Sequence, residues 1–167
     1  HNFGNLFLTA LTTVVGDFSE AVRESSHILA SRGRIYPSTR SNVQLDAWMK
    51  DGSRVRGETS ITASHQRIAE LRMVPANAQP LPETLDAIAK ADVITVGPGS
   101  LFTSLIPNLL VRGIPEAIRR SPAAKVFVCN LMQQANESLG MSASQHVLAL
   151  RKHAGGRIFD HAIVNTA

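Results

Sequence analysis

Residues 91–104, Ala-Asp-Val-Ile-Thr-Val-Gly-Pro-Gly-Ser-Leu-Phe-Thr-Ser, constrain the fold more than any other stretch of the chain. Val93, Ile94, Thr95 and Val96 form an uncharged, largely β-branched run too short for a helix, the pattern of a central parallel strand buried on both faces. Gly97 and Gly99 then allow backbone angles that side chains forbid, and Pro98 fixes the chain between them, so the strand ends in a tight turn. Leu101, Leu105, Ile106 and Leu109 recur at helical spacing after it, with Ser100 in the N-cap position. A strand, a glycine turn and a helix N-terminus present backbone N–H groups and the positive end of a dipole, a combination that holds phosphate in α/β proteins. Gly97, Pro98, Gly99, Ser100, Thr103 and Ser104 are therefore candidate ligand-binding residues. A Gly-Pro-Gly after a strand also serves as a plain βα turn, and this one is neither a Walker motif nor G-x-G-x-x-G.

The chain beyond this turn repeats the same alternation. Residues 125–130 read as a second buried strand around Val126, Phe127 and Val128, and 158–164 as the last strand, buried over 162–165. Between them Ser142 and Gln145 have capping-box spacing, and Val147, Leu148 and Leu150 follow in a helix that Gly155-Gly156 ends. Strands alternating with helices over short connections imply right-handed crossovers and a parallel sheet with helices on both faces. The strand ends then share one rim, bringing Asn130 and Asn165 to the Gly97 turn. An asparagine there either reads a base or sugar hydroxyl or bonds a loop backbone.

Two helices open the chain. The first carries Phe3, Phe7, Leu11 and Val14 inward, and the second, opened by Asp17 with Glu20, carries Phe18, Ala21, Val22, Ser25, Ile28 and Leu29 and runs to Gly33. Residues 35–74 change to alternation, with Val43, Leu45, Ala47 and Met49 on one side of a strand. Asp51-Gly52 reads as a two-residue hairpin turn pairing Trp48 with Val55 and Met49 with Arg54. The return strand, 53–62, is polar on both faces, so the hairpin is expected to be an edge or surface excursion and not part of the main sheet. Residues 68–74 read as a strand and a possible fourth member of the parallel sheet, and Pro82 opens a helix carrying Leu85, Ile88 and Ala89.

Several classes of function lose support. The 17 basic residues, 13 of them arginine, exceed the acids by only 4 and are scattered, with 5% aromatic residues, against the clustered charge of a nucleic-acid binder. One local bias is Arg32, Arg34 and Arg40, with no acid between Glu24 and Asp46; arginine suits phosphate, and a solvated rim explains it equally. The six histidines lack metal-ligand spacing, and no nucleophile elbow is present, so neither a metal site nor a catalytic residue is assigned. The lone Cys129 fits a reducing, cytoplasmic setting, and no apolar run is long enough to span a membrane.

The motifs His-Asn-Phe-Gly-Asn (1–5), Thr-Val-Val-Gly-Asp-Phe (13–18), Val-Gly-Pro-Gly-Ser-Leu-Phe-Thr-Ser (96–104), Pro-Asn-Leu-Leu-Val (107–111) and Val-Cys-Asn-Leu-Met (128–132) resemble, in this order and across the whole chain, those of the YvcK-type gluconeogenesis factor family. That family lies within the superfamily of the 2-phospho-L-lactate transferase CofD. The resemblance implies a Rossmann-like, CofD-like α/β nucleotide-binding domain over 1–167 with its N-terminal part missing. It also implies a cytoplasmic protein that regulates cell shape and growth on gluconeogenic carbon and binds a nucleotide sugar such as UDP-N-acetylglucosamine, with His1 and Asn5 at a helix start beside the ligand. The alternative is a transferase moving a phospholactyl group from a nucleoside diphosphate to a deazaflavin. Family members carry a glycine-rich Gly-Gly-Gly-Thr-Gly turn and an Asp-Asp-Gly-Gly-Ser-Ser segment not found here, and Met-Thr-Gln where this chain has Met132-Gln133-Gln134. The chain by itself is therefore expected to be poorly stable or to form a homo-oligomer and to bind a UDP-sugar weakly. No other cofactor is implied.

Overall fold

The computed structural model describes residues 3–135 and 137–166. Two helices, α1 (Phe3–Val15) and α2 (Phe18–Ile28), pack on each other at the start of the chain. Asp17 accepts a hydrogen bond from the Glu20 amide and sets the entry to α2. The helix ends at Ile28 rather than Gly33, because Ala30 turns left-handed (φ 50°) and the amides of Leu29, Ala30 and Ser31 close onto the last carbonyls. α1 buries no residue: Phe3 and Val14 are exposed, since α2 alone supplies it with a substantial contact among the described residues.

β1 (Gln44–Met49), β2 (Arg54–Arg56) and β3 (Ile68–Val74) form an antiparallel sheet in the order β2-β1-β3. Two expectations change here. The third strand belongs to this sheet and not to the parallel one, and the sheet is a wall of the core, supplying Leu45, Ala47, Met49, Leu71 and Met73. The register is also shifted by one. Ala47 faces Val55 and Trp48 faces Arg54, because the loop holds three residues, Lys50 to Gly52, with Gly52 left-handed (φ 87°) and the Met49 amide bonded to the Ser53 carbonyl. The return strand is short because Gly57 (φ 87°) turns the chain into α3 (Glu58–Ala63), whose Ile61 is fully buried. On the outer face Asp46, with no solvent exposure, accepts from Arg54 and Arg56, and both Arg54 and Arg72 lie over the Trp48 ring. The two guanidinium groups hold the Asp46 carboxyl below the usual carboxylate range.

The second sheet is parallel, in the order β4-β5-β6: β4 (Val93–Val96), β5 (Ala124–Val128) and β6 (His161–Ile163). α4 (Pro82–Lys90) precedes it, a π turn (Leu101–Leu105) and α5 (Ile106–Leu110) follow β4, and α6 (Ile114–Arg120) and α7 (Ala143–His153) complete the connections. The molecule is thus an α/β fold with a parallel sheet and helices. Among the described residues β4 is an edge strand, with β5 in the centre, and it is not buried on both faces: Val93 and Thr95 are exposed and Val96 is buried. One continuous core joins the sheets through Leu101, Phe102, Ile106, Leu109 and Leu150. α7 also covers the outer edge of β3. The Lys152 ammonium donates to the Ala69 carbonyl at 2.9 Å, and His153 Nε2 accepts from the Leu71 amide at 3.0 Å. With Nδ1 donating to the Ala149 carbonyl at 2.7 Å, His153 is fixed as one neutral tautomer, and burial lowers its pKa from the usual value.

Candidate functional site

Parallel pairing brings the carboxyl ends of the three strands to one rim, as the alternation of strands and helices requires. Val96 pairs with Phe127 and Val128 with Ile163, so the Gly97 turn, Asn130 and Asn165 leave the sheet on the same side. Gly97 is left-handed (φ 91°), and a Cβ added there would lie 2.6 Å from the Val128 carbonyl oxygen. Only glycine fits between these two strand ends. Gly99 is less constrained, since its added Cβ would meet the Leu105 side chain at 3.1 Å.

Asn130 is the residue that shapes the turn. Its Oδ1 accepts from the Gly99 amide and its Nδ2 donates to the Gly99 carbonyl, each at 2.9 Å. Of the two roles open to this asparagine, the backbone clamp is the one its amide performs. The chain then enters a π turn in which the amides of Ser104 and Leu105 both reach the Ser100 carbonyl at 2.9 Å. Ser100 does not cap this helix with its side chain. Its hydroxyl instead accepts from Gln134 Nε2 at 2.8 Å, and the side-chain Oε1 of Gln134 is buried with no hydrogen-bond partner among the described residues.

Glu137 takes the capping role, and nothing in the local sequence signals it. Its carboxylate, 6% exposed, accepts from the Phe102 amide at 3.0 Å and from the Thr103 hydroxyl. A negative group thus sits against the positive end of the helix that Leu101–Leu105 and α5 form together. Of the donors expected for a ligand, Thr103 is engaged by Glu137 and the Gly99 amide by Asn130. Ser104 is exposed and its carbonyl accepts from Asn108 at 2.7 Å. Pro98 is exposed, and Gly99 and Ser100 are half-buried at the mouth of the turn.

The remaining predicted residues are distributed differently. Asn165 is exposed just beyond β6, on the rim. Asn5 lies on α1, and the groove it lines is shared with Leu8, Thr9, Thr12, Thr13 and Phe18, none of them from the Gly97 turn. His1 lies outside the described residues. Among the described residues, no group of three or more His, Cys, Asp or Glu side chains could hold a metal ion, and no helix is long and apolar enough to cross a membrane.

Comparison with known proteins agrees with this architecture. The chain is 46% identical over 166 residues to the gluconeogenesis factor of Bacillus subtilis strain 168, covering 99% of this chain and 52% of that protein. It is 44% identical over 165 residues to the gluconeogenesis factor of Halalkalibacterium halodurans, covering 99% and 51%. A crystal structure of a UPF0052 family member from Bacillus halodurans superposes with a TM-score of 0.89 at 44% identity, covering 97% of this chain and 53% of that one. The chain therefore spans about half the length of the curated relatives it matches. The profile of the family described as 2-phospho-L-lactate transferase CofD matches residues 1–167, and the chain belongs to that family.

Proposed function

We propose that this chain carries the phosphate-holding rim of a regulatory protein that binds a nucleotide sugar of the UDP-N-acetylglucosamine kind and acts in cell shape and growth on gluconeogenic carbon. The observation that carries the reading is the Gly97-Pro98-Gly99 turn at the carboxyl end of a parallel strand, locked by Asn130 and followed directly by a helical turn. Backbone held in this way approaches an anion without steric cost and without reorganising. With Glu137 and Asn130 engaging Phe102, Thr103 and Gly99, and Leu101 buried in the core, the phosphate contacts fall to the amide and hydroxyl of Ser100. Likeness to two gluconeogenesis factors supports the link to gluconeogenic growth.

Titration of the intact protein with UDP-N-acetylglucosamine tests it, using Ser100→Ala and Gly99→Val. The tightest contact of a Cβ at position 99 is the end of the Leu105 side chain at 3.1 Å, with Ser104 Cβ at an ordinary 3.5 Å, so Gly99→Val is expected to fold and to crowd the ligand. Both variants are expected to weaken binding about tenfold, the loss of one or two charge-assisted hydrogen bonds. Wild-type affinity in the two folded variants overturns the assignment. The family description also fits the phospholactyl transferase. Transfer from a nucleoside-diphosphate-activated phospholactate to a deazaflavin, detected by mass spectrometry, would establish that activity instead.

A further inference from the structure

A cavity of about 620 Å³ shares no residue with the Gly97–Ser104 turn. It lies between α2, residues 30–37 and the start of α4, and its size falls in the range of small-molecule sites. Its lining carries Arg23, Arg32 and Arg34 with His27, against one carboxylate, Glu83. Serine hydroxyls, Ser26 and Ser31 among them, and the Tyr36 ring complete a wall that mixes cation, hydroxyl and aromatic face.

The wall is a built one. At one end, the Leu29, Ala30 and Ser31 amides already satisfy the carbonyls of Ser25, His27 and Ser26, so the negative end of α2 is closed off from the cavity. At the other end, the Pro37 carbonyl accepts from the Thr84 hydroxyl at 3.0 Å, Ser38 bonds Asn108, and Thr39 bridges Pro80. Between these anchors Arg34 interacts with the Tyr36 side chain, and Arg32 is exposed and takes part in no ion pair among the described residues. Arg23 shares its charge with Glu20 at 3.3 Å. Arg32 and Arg34, on a loop anchored at both ends beside a concave surface and in no ion pair among the described residues, offer the forked donors that match phosphate oxygens.

We infer that this groove is a second anion site, for a phosphate-bearing small molecule with a planar or sugar moiety that rests on Tyr36. Arg32 and Arg34 supply the phosphate contacts, and Arg23 and the serine hydroxyls the rim. The site is separate from the Gly97 turn, so it is present whether or not the turn binds a nucleotide sugar.

Inorganic pyrophosphate is the probe, titrated into the intact protein at low ionic strength. Tyr36 is the only tyrosine of the sequence, and its ring resonance, assigned by Tyr36→Phe, reports occupancy of the groove. Pyrophosphate is expected to shift the Tyr36 resonance saturably, with an affinity that falls as salt rises. The double variant Arg32→Ala/Arg34→Ala, both exposed positions, is expected to fold normally and to lose at least tenfold in that affinity. Asn130→Asp, which places a carboxylate at the Gly97 turn, is expected to leave it unchanged. The inference is overturned by no saturable Tyr36 shift at millimolar pyrophosphate, by unchanged affinity in the arginine variant, or by an equal loss in Asn130→Asp, which would make groove and turn one site.

Discussion

Replacing Asn130 by alanine removes both hydrogen bonds that hold Gly99, one donated by its amide and one accepted by its carbonyl, each 2.9 Å long. A neutral hydrogen bond contributes about 0.5–1.5 kcal/mol net, so the pair contributes about 1–3 kcal/mol. The upper end of that range requires both Gly99 groups to stay unpaired. Gly99 is half-buried, so water can reach part of the turn and the expected cost is about 2 kcal/mol. For a chain of this size 1 kcal/mol moves the melting temperature by about 2–4 °C, giving a fall of about 4–8 °C by calorimetry. Asn130→Asp keeps the acceptor and turns a carboxylate toward the Gly99 carbonyl, and is expected to be at least as costly at neutral pH. Hydrogen exchange at the Gly99 amide should accelerate in Asn130→Ala while amides of the antiparallel sheet stay protected. A melting temperature within 1 °C of wild type with unchanged Gly99 exchange would refute the clamp.

Two further expectations concern single groups. Gly97→Ala places a side chain at φ 91° and 2.6 Å from the Val128 carbonyl, so it is expected to destabilise by more than the ~1–2 kcal/mol of left-handed backbone alone; urea denaturation showing less than 1 kcal/mol of loss contradicts the strand-end packing. His153 is neutral in the fold with its pKa lowered by burial, so the unfolded chain takes up a proton near the ordinary value of 6.5 and the folded chain does not. Stability should therefore be complete above about pH 6.5 and fall as the pH drops below it. The urea midpoint should decline from pH 7.5 to 5.5 more steeply in wild type than in His153→Gln; equal slopes would exclude this histidine as the cause.

Local chemistry made much of this molecule legible in the sequence. The strand at 93–96, its glycine turn and the helical turn after it stand where the β-branched run, Gly-Pro-Gly and apolar spacing put them. The capping box at Ser142 and Gln145 forms as its spacing requires. The common rim of Gly97, Asn130 and Asn165 follows from parallel pairing alone. These features depend on residues a few positions apart, or on a topological rule with few exceptions.

What tertiary structure alone decided depends on contacts distant in sequence. Glu137 reaches its helix N-terminus across 34–35 residues, and no spacing rule connects a carboxylate in a loop to a turn so far upstream. The third strand joined the antiparallel sheet because its alternating Leu71 and Met73, with Ile68 set opposite Met49 by a register irregularity, match the inner face of β1, a choice between partners that an isolated strand pattern does not make. The hairpin shifted by one position because the left-handed Gly52 favours a three-residue loop. Arg32 and Arg34 appear in sequence as a charge bias. They line a cavity only because α2, the loop and α4 converge, and that convergence is set by the bond the Thr84 hydroxyl donates to the Pro37 carbonyl and the bond the Ser38 hydroxyl donates to Asn108, pairs 47 and 70 residues apart.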